Sequence, residues 1–356
     1  MAGSNRGEWS ELYVFLKLLA DKKLYAADKD LNKIKEIYYP ILSIFREEYQ
    51  YHINSKIKIV DLEGKVILAI PVEEFKENSL LLLDKIKNTK GRTFEFNDIQ
   101  GFLKKIKVSK IKAKSSDKRD ITLVVHDIFT GYTPRLGFSI KSKLGSSSTL
   151  FNASGQTNFI YRLDCSKKIL NSKIDFINSI EGDRKIKNRV VELEKNNCSL
   201  IFTKIDSKQL FNNLIIIDSA LPTMIAEMLK FFYSGVANAV VDLTKHLTKL
   251  NPLNFDLSND QPFYEYKIKN FLTDVALGMT PQKPWGGIYD ATGGYIVVKE
   301  DGEVLCYHIY NRNEFQEYLF NNTKFDTPSS GRHGFGKIYL DNDIPFINLN
   351  LQIRFK

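Results

Sequence analysis

The residues best suited to chemistry lie in one segment, residues 121–144, with the sequence ITLVVHDIFTGYTPRLGFSIKSKL. Its first part, Ile121–Val125, is a run of β-forming residues that leads to Asp127. A Thr-Gly-Tyr-Thr-Pro turn follows, and a second β-forming run is centred on Phe138. Two short runs of this kind separated by turn residues predict a β-hairpin.

This hairpin contains a candidate catalytic group. Side chains alternate along a strand, so Ser139 and Lys141 share one face of the second strand, and we expect them to converge with Asp127. A carboxylate and an ammonium group held together can bind a divalent cation and orient a water molecule against a phosphate. The structural alternative is that Asp127 only forms the turn before Thr-Gly, and that Lys141 is a solvated lysine.

A predicted helix at residues 7–20, near the N-terminus, carries two further acids. It is apolar nearly all round, so it should be buried. Glu8 falls in its first turn, where a carboxylate complements the helix dipole. Glu11 shares its side of the helix with apolar residues, and a buried carboxylate needs a cation or hydrogen-bond partners. A salt bridge to a nearby lysine and metal binding both satisfy that need.

Composition limits the class of protein. The 356 residues suffice for one large domain or two of ordinary size, and the net charge of +9 favours a polyanionic partner, either nucleic acid or an anionic membrane surface. No apolar run approaches the roughly 20 residues that span a bilayer, and the N-terminus lacks the apolar region of a signal peptide. The three cysteines are scattered without a CxxC motif, so we expect neither a zinc site nor a disulfide framework, and a reducing cytoplasm fits best.

Two polar loops and one basic run suit nucleic acid. The loop after Lys141 is dense in hydroxyl and amide groups, and the loop at residues 327–337 adds an arginine and a histidine. Such groups hydrogen-bond phosphates and base edges, and they equally suit any surface loop. The basic run could flank a phosphate backbone or form a solvated face. Its eight members are Lys104, Lys105, Lys107, Lys110, Lys112, Lys114, Lys118 and Arg119.

The rest of the chain reads as scaffold. Helices are predicted at residues 29–51, 72–88, 174–196, 221–250 and 312–320. Strands are predicted at residues 57–71, 159–163, 199–205, 293–299, 303–310 and 349–355. The polar, proline-containing connector at residues 251–261 is the best candidate boundary. It divides the chain into residues 1–250, which hold the N-terminal helices and the hairpin, and a β-rich region at residues 251–356.

Long segments of this chain resemble the HpaII family of type II restriction endonucleases. They are NRGEWSELYVFLKLLADKKLYAADKDLNKI, GFSIKSKLGSSSTLFNASGQTNFIY, GGYIVVKEDGEVLCYHIYNRNEFQEYLF, TPSSGRHGFG and LNLQIRF, and they span nearly the whole chain. The resemblance implies a mixed α/β fold of the PD-(D/E)xK nuclease type, with a central mixed sheet flanked by helices and the C-terminal region used for DNA recognition. It also implies Mg²⁺ as cofactor and, in a bacterium, a methyltransferase that protects the same DNA site.

The family's catalytic pattern carries over to specific residues. Asp127 would be the metal-binding acid of the first strand and Lys141 the lysine of the second, whereas Ser139 stands where the second acid is expected. Glu11 or Glu8 of the N-terminal helix would then replace that acid. Mg²⁺ held by Asp127 and a helix glutamate would polarise the scissile phosphate, and Lys141 would orient the attacking water.

Contacts with double-stranded DNA would come from the two polar loops. The candidate residues are Lys143, Ser146, Ser147, Asn152, Ser154, Gln156, Asn158, Ser329, Ser330, Arg332, His333 and Lys337. The family name suggests a palindromic target of the CCGG kind, and a palindrome favours a two-fold homodimer. A cytoplasmic bacterial enzyme without a membrane anchor is expected.

Two other functions fit the same residues. A non-catalytic, sequence-specific DNA-binding protein would share the charge and the polar loops, and metal-dependent cleavage distinguishes the two. An RNA-processing nuclease would cut RNA or single-stranded DNA as readily as duplex DNA.

Overall fold

The computed structural model describes residues 3–111, 119–128, 130–167 and 169–356. Three members of the predicted basic run, Lys112, Lys114 and Lys118, lie outside the described residues. The strands in the described part are β1 (Ser4–Asn5), β2 (Lys23–Ala27), β3 (Lys33–Arg46), β4 (Tyr49–Ile53), β5 (Lys56–Val60), β6 (Val66–Pro71), β7 (Thr93–Phe94), β8 (Ile121–Val125), β9 (Arg135–Ser142), β10 (Thr149–Phe151), β11 (Asn158–Cys165), β12 (Cys198–Ile205), β13 (Gly294–Val298), β14 (Val304–His308), β15 (Thr323–Phe325), β16 (Ile338–Asp341), β17 (Ile344–Asn350) and β18 (Ile353–Phe355).

The described part also contains eleven α-helices. They are α1 (Arg6–Asp21), α2 (Val72–Asn88), α3 (Asn97–Lys105), α4 (Asn171–Ser179), α5 (Lys185–Lys195), α6 (Lys208–Ile217), α7 (Leu221–Ser234), α8 (Val240–Leu250), α9 (Phe263–Leu277), α10 (Arg312–Asn322) and α11 (Ser330–His333). The structure is thus mixed α/β, as expected. No helix among the described residues is both long and apolar enough to span a membrane.

The chain forms two compact units, and each is discontinuous in sequence. The first unit comprises residues 1–148 and 289–318, and the second comprises residues 149–288 and 319–356. This division differs from the predicted boundary at residue 250, because β13 and β14 return to complete the sheet of the first unit. The connector at residues 251–261 lies inside the second unit.

A nine-stranded sheet forms the first unit, in the order β2-β14-β13-β9-β8-β3-β4-β5-β6. Strand β2 also pairs with β3, which closes six of these strands into a ring. The predicted hairpin is confirmed: β8 and β9 are antiparallel, with Ile121 opposite Phe138. Strand β13 runs parallel to β9 on its other side, with Tyr295 opposite Ser139.

Helix α1 fills the core of the first unit. It starts with a capping box, in which the Asn5 side chain accepts from the Glu8 amide and Glu8 accepts from the Asn5 amide, both at 3.0 Å. Its apolar residues pack with Phe138 and Ile140 in one buried cluster. Because side chains alternate along β9, α1 covers the face of the sheet opposite to that of Ser139 and Lys141.

The second unit contains two smaller sheets with helices around them. Their orders are β12-β11-β17-β16 and β10-β18-β15, and helices α4–α9 belong to the same unit. The sequence analysis did not predict the disulfide that Cys165 and Cys198 form. These cysteines are 33 residues apart in sequence, but they lie directly opposite each other on antiparallel strands β11 and β12.

Several sequence predictions of secondary structure are confirmed, one is wrong, and the helices predicted at residues 174–196 and 221–250 are each divided in two. The helix predicted at residues 29–51 is instead strands β3 and β4, because this stretch is rich in β-branched and aromatic residues. Pro40 lies where β3 passes from pairing with β2 to pairing with β8. The long helix predicted at residues 221–250 is divided into α7 and α8 by Gly235, which has a positive φ of 84°.

Candidate active site and DNA-contacting loops

Asp120, which the sequence analysis did not identify as a candidate, lies beside the polar face of β9. Asp120 directly precedes β8, and its carboxylate accepts hydrogen bonds from the Ser139 hydroxyl at 3.1 Å and from the Ile140 amide at 2.6 Å. Lys141 follows two residues after Ser139 on the same face. The antiparallel register therefore groups Asp120, Ser139 and Lys141 at one end of the hairpin.

Tyr295 completes this group from the neighbouring strand. It lies opposite Ser139 on β13, is 1% exposed, and its hydroxyl is hydrogen-bonded to the Ser139 side chain. Burial, reinforced by the charge of Asp120, raises the pKa of Tyr295 far above its usual value, so the phenol stays neutral. The Lys141 ammonium nitrogen lies 5.6 Å from the centroid of the Tyr295 ring. Among the described residues, no carboxylate forms an ion pair with Lys141.

The prediction that Asp127 converges with Ser139 and Lys141 is wrong. Asp127 follows the other end of β8, where its amide donates to the Tyr132 carbonyl, and its carboxylate accepts from the Thr130 hydroxyl at 2.8 Å. Arg135 pairs with Val124 at that end of the hairpin, and Lys141 lies six positions further along β9, a distance of about 20 Å along the strand. Asp127 therefore holds the turn between β8 and β9, as the structural alternative proposed.

The predicted metal site of Asp127 with a helix glutamate, Glu11 or Glu8, has no support in the contacts of these residues. No group of three or more His, Cys, Asp or Glu side chains suited to a metal ion occurs in the described ranges. Glu8 caps α1, as described above. Glu11 lies close enough to Arg46 for its charge to favour the charged guanidinium, although burial lowers the pKa of Arg46 overall. Glu11 is thus associated with Arg46 on the α1 side of the sheet.

The register of the hairpin explains why Asp120 was missed. In an antiparallel hairpin, the start of the first strand pairs with the end of the second, so the acid that meets Lys141 must precede Ile121 rather than follow Val125. The sequence did contain this signal, because Asp120 stands directly before the strand. The acid predicted instead, Asp127, lies at the loop end of the hairpin, away from Lys141.

The residues predicted to contact DNA fall into both units. Lys143, Ser146 and Ser147 follow β9 in the first unit, where the Lys143 amide donates to the Val298 carbonyl at 2.8 Å. The remaining candidates lie in the second unit, in one loop before β11 and in another around α11.

The two loops of the second unit are joined through buried amides. Asn158 donates its side-chain N–H to the His333 carbonyl at 2.9 Å. Asn350, which is fully buried, donates to the Ser154 carbonyl at 2.7 Å and to the Asn158 side-chain oxygen at 2.6 Å. Asn158 is therefore a structural residue, and no local sequence pattern indicates Asn350. Of the predicted residues in the first loop, Asn152 and Gln156 remain exposed.

The loop around α11 is braced by a buried arginine. Arg189 is 1% exposed and donates to the Gly336 carbonyl at 2.7 Å, as well as to two carbonyls of the α4 region. Gly336 has a φ of 80°, and a Cβ there would lie 2.1 Å from the Ile186 side chain. This bracing leaves Arg332 and Lys337 exposed on a fixed backbone, together with Ser329.

Chemically, the group at the hairpin end combines an acid, a hydroxyl and a cation. Asp120 can hold one divalent ion, because Mg²⁺ in such sites keeps several waters and needs only one or two carboxylates beside the substrate phosphates. Lys141 can neutralise charge on a phosphate or orient a nucleophile. The group is therefore suited to phosphodiester hydrolysis.

Comparison with known proteins agrees with this chemistry. The family model described as HpaII restriction endonuclease matches residues 5–355. A curated relative, the type II restriction enzyme HpaII of Haemophilus parainfluenzae, is 51% identical over 358 residues, which cover 99% of this chain and 98% of the relative. No solved structure matches the chain.

Proposed function

This chain belongs to the HpaII restriction endonuclease family and is a type II restriction enzyme acting on double-stranded DNA; from that premise we propose its catalytic residues, cofactor and target. It hydrolyses phosphodiester bonds at a short palindromic site of the CCGG kind, in a reaction that depends on Mg²⁺. The hairpin end formed by Asp120, Ser139 and Lys141 is the catalytic centre, in a nuclease core of the PD-(D/E)xK type.

The observation that supports this centre is the pairing of Asp120 with the Ser139–Lys141 strand. In the PD-(D/E)xK arrangement, an acid on one strand lies beside a second acid on the next strand, and a lysine follows that second acid two residues later. Here Asp120 is the first acid, Ser139 stands in place of the second acid, and Lys141 is the lysine. Asp120 thus takes the metal-binding role that the sequence interpretation assigned to Asp127.

Type II restriction endonucleases generally use a divalent metal ion. The Asp120 carboxylate is the side chain that would hold it, and hydrated Mg²⁺ fits a site with a single carboxylate. The chemistry supplied by a bound Mg²⁺ is charge neutralisation on the scissile phosphate and a lower pKa for water.

The other groups position the Asp120 carboxylate and stabilise charge on the phosphate. The Ser139 hydroxyl and the Ile140 amide fix the orientation of the Asp120 carboxylate through two hydrogen bonds. Tyr295 holds Ser139 through a side-chain hydrogen bond, and its ring lies 5.6 Å from the Lys141 ammonium nitrogen. The Lys141 ammonium group orients the attacking water or offsets the charge that develops on the phosphate.

Target recognition is assigned to the exposed residues of the polar loops. Arg332 can pair bidentately with a guanine edge, and Lys143 and Lys337 can contact phosphates. A palindromic target favours a two-fold homodimer, so that each copy cuts one strand. A DNA methyltransferase of the same specificity would protect the host, and the enzyme would act in the bacterial cytoplasm.

The decisive experiment is incubation of the purified protein with unmethylated plasmid DNA, in Mg²⁺ or in EDTA, followed by sequencing of the fragment ends. We expect discrete ends at one short motif in Mg²⁺ and intact DNA in EDTA. Lys141→Ala should bind the same DNA in a gel shift but fail to cut it, while Lys35→Ala, at an exposed position of β3, should cut normally. Equal cutting by Lys141→Ala would refute the assigned centre.

A further inference from the structure

The second unit contains a cavity that the catalytic assignment leaves unused. Its volume is about 420 Å³, within the range of roughly 300–1,000 Å³ typical of small-ligand pockets. It lies between the start of α5, the end of α7 and strand β15. Both charged and aromatic side chains line it, which suits a ligand that has an anionic part and a flat ring.

Two half-buried lysines line this cavity without a carboxylate partner. Neither Lys187 nor Lys324 forms an ion pair within the described ranges. Other half-buried lysines of the same unit do, as in Lys173 with Glu192 and Lys230 with Glu227. The whole lining holds three cations, since Arg184 is the third, against the two carboxylates of Asp183 and Asp326, and Asp326 is paired with Arg354 at 3.3 Å. This excess of positive charge beside a concave surface attracts an anion.

The backbone is shaped around one of these lysines. Gly235 adopts a φ of 84° at the end of α7, and a Cβ at this position would lie 1.9 Å from Cε of Lys187 and 2.3 Å from its ammonium nitrogen. Only glycine allows Lys187 to lie against the backbone here. The Lys187 side chain is therefore seated at the cavity rather than extended into solvent.

Aromatic rings and hydrogen-bonding groups form the rest of the lining. Phe232 and Phe325 meet edge to face, with centroids 6.0 Å apart, and both line the cavity. Asn238 can donate and accept hydrogen bonds, and the Asp326 carboxylate can accept from an exocyclic amino group. Phe325 is 3% exposed, so the half-buried Phe232 is the ring of this pair that a base can reach. An aromatic ring beside such groups is a usual means of binding a base outside the duplex stack.

We propose that this cavity is a nucleotide-binding site, in which Lys187 and Lys324 contact a phosphate and the aromatic and polar lining receives the base. The nucleotide is one of the enzyme's own DNA target, rotated out of the stack. A duplex is too wide to enter such a cavity, so a single extruded nucleotide is the part of the substrate that fits. This inference rests on the proposed function, because it takes DNA as the source of the nucleotide.

The test uses base analogues whose fluorescence is quenched by stacking: pyrrolocytosine in place of cytosine and 6-methylisoxanthopterin in place of guanine. The target is first defined by selecting bound duplexes without metal, so that it does not depend on cleavage. The matching analogue is then placed at each position of the target in turn, and fluorescence is measured with full-length protein in Ca²⁺. We expect a several-fold rise at one position.

Variants of the cavity decide whether it causes that rise. Lys187→Ala with Lys324→Ala removes the cations, and Ala237→Trp fills the cavity without changing charge; each should reduce the rise by more than half on fully bound DNA. Lys208→Ala, at an exposed position of α6, is the matched control and should leave it unchanged. A rise retained in both cavity variants, or no rise at any position of a bound duplex, overturns the proposal.

Two further measurements separate this proposal from its premise. Cleavage of the same duplex in Mg²⁺ without any fluorescence rise overturns the nucleotide site alone, whereas a fluorescence rise without cleavage overturns only the nuclease assignment. Isothermal titration with the four free deoxynucleoside monophosphates tests the other source of nucleotide. Binding of a free monophosphate that Ala237→Trp abolishes, with no rise in DNA, overturns the assignment to the target.

Discussion

Asn158 donates a hydrogen bond of 2.9 Å to the backbone carbonyl of His333, and this contact joins two loops that are 175 residues apart in sequence. Both loops carry residues that we assign to DNA contact. Asn350 secures the same junction from β17. Fixed loop backbones place the exposed side chains without a large ordering cost on binding.

Replacing Asn158 by alanine should loosen this junction. The variant leaves buried partners at His333 and Asn350 unsatisfied, so we expect it to lose about 1–3 kcal/mol of unfolding free energy and to bind its target more weakly. Asn152→Ala, at an exposed position of the same loop, should leave thermal stability unchanged. Denaturation and gel-shift titrations measure both effects. An unaltered melting temperature for Asn158→Ala would show that the junction is dispensable.

Asp120 and Asp127 offer a matched pair of substitutions. Asp120→Asn removes the proposed metal-binding carboxylate, so single-turnover cleavage in Mg²⁺ should fall by at least ~100-fold while DNA binding persists. Asp127→Asn perturbs a turn, so it should lower the melting temperature and leave cleavage within a few-fold of wild type. The reverse pattern would restore Asp127 as the catalytic acid.

Ser139 tests whether a hydroxyl can position the catalytic carboxylate. Ser139→Ala removes the 3.1 Å hydrogen bond to Asp120 and the contact with Tyr295. We expect the cleavage rate to fall about 10-fold, in the range of one lost hydrogen bond to a charged group, and the Mg²⁺ concentration needed for half-maximal rate to rise. Ser139→Thr should recover part of both losses. Identical Mg²⁺ dependence in Ser139→Ala and wild type would argue against a positioning role.

His308 should make the protein less stable in mild acid. It is buried and stacked on Tyr39, and this burial, opposed by the charge of Asp127, lowers its pKa to about 4. Below the unfolded pKa of about 6.5, protonation favours the unfolded chain, so stability should fall by up to about 3 kcal/mol between pH 6.5 and pH 4. Above pH 6.5 this group has no effect.

Urea unfolding between pH 7 and pH 4.5 measures that slope. His308→Asn keeps a side-chain acceptor for the Tyr310 amide and should flatten the curve, whereas His246→Asn, on an exposed helix position, should not. A slope that is equal in His308→Asn and wild type would assign the acid sensitivity to other groups.

Local patterns in the sequence were enough to predict the hairpin and the N-terminal helix, and to identify Lys141 as a candidate catalytic residue. Alternation, turn residues and apolar periodicity are encoded within a few positions of each other, so they can be read directly. Ser139 was also identified, because it stands where the family pattern has a second acid. Its hydrogen bond to Asp120 was not predicted.

Features that depend on distant pairing were not predicted. The register of β8 against β9 decides which aspartate meets Lys141, and the parallel partner β13 supplies Tyr295 from more than 150 residues away. Arg189 and Asn350 brace their loops through contacts that no local pattern indicates. The helix prediction at residues 29–51 is the exception, because the β-branched and aromatic residues of β3 are a local signal and two of its strand partners, β2 and β4, adjoin it in sequence.

The parallel pairing of β9 with β13 also bears on the order of synthesis. A nascent chain has made Asp120, Ser139 and Lys141 long before residue 294 leaves the ribosome, and the strand with Tyr295 follows only after most of the second unit. The central sheet is therefore incomplete in any prematurely terminated product shorter than about four-fifths of the chain. For an enzyme that cuts DNA, this delay ties the completion of the proposed catalytic centre to nearly complete translation.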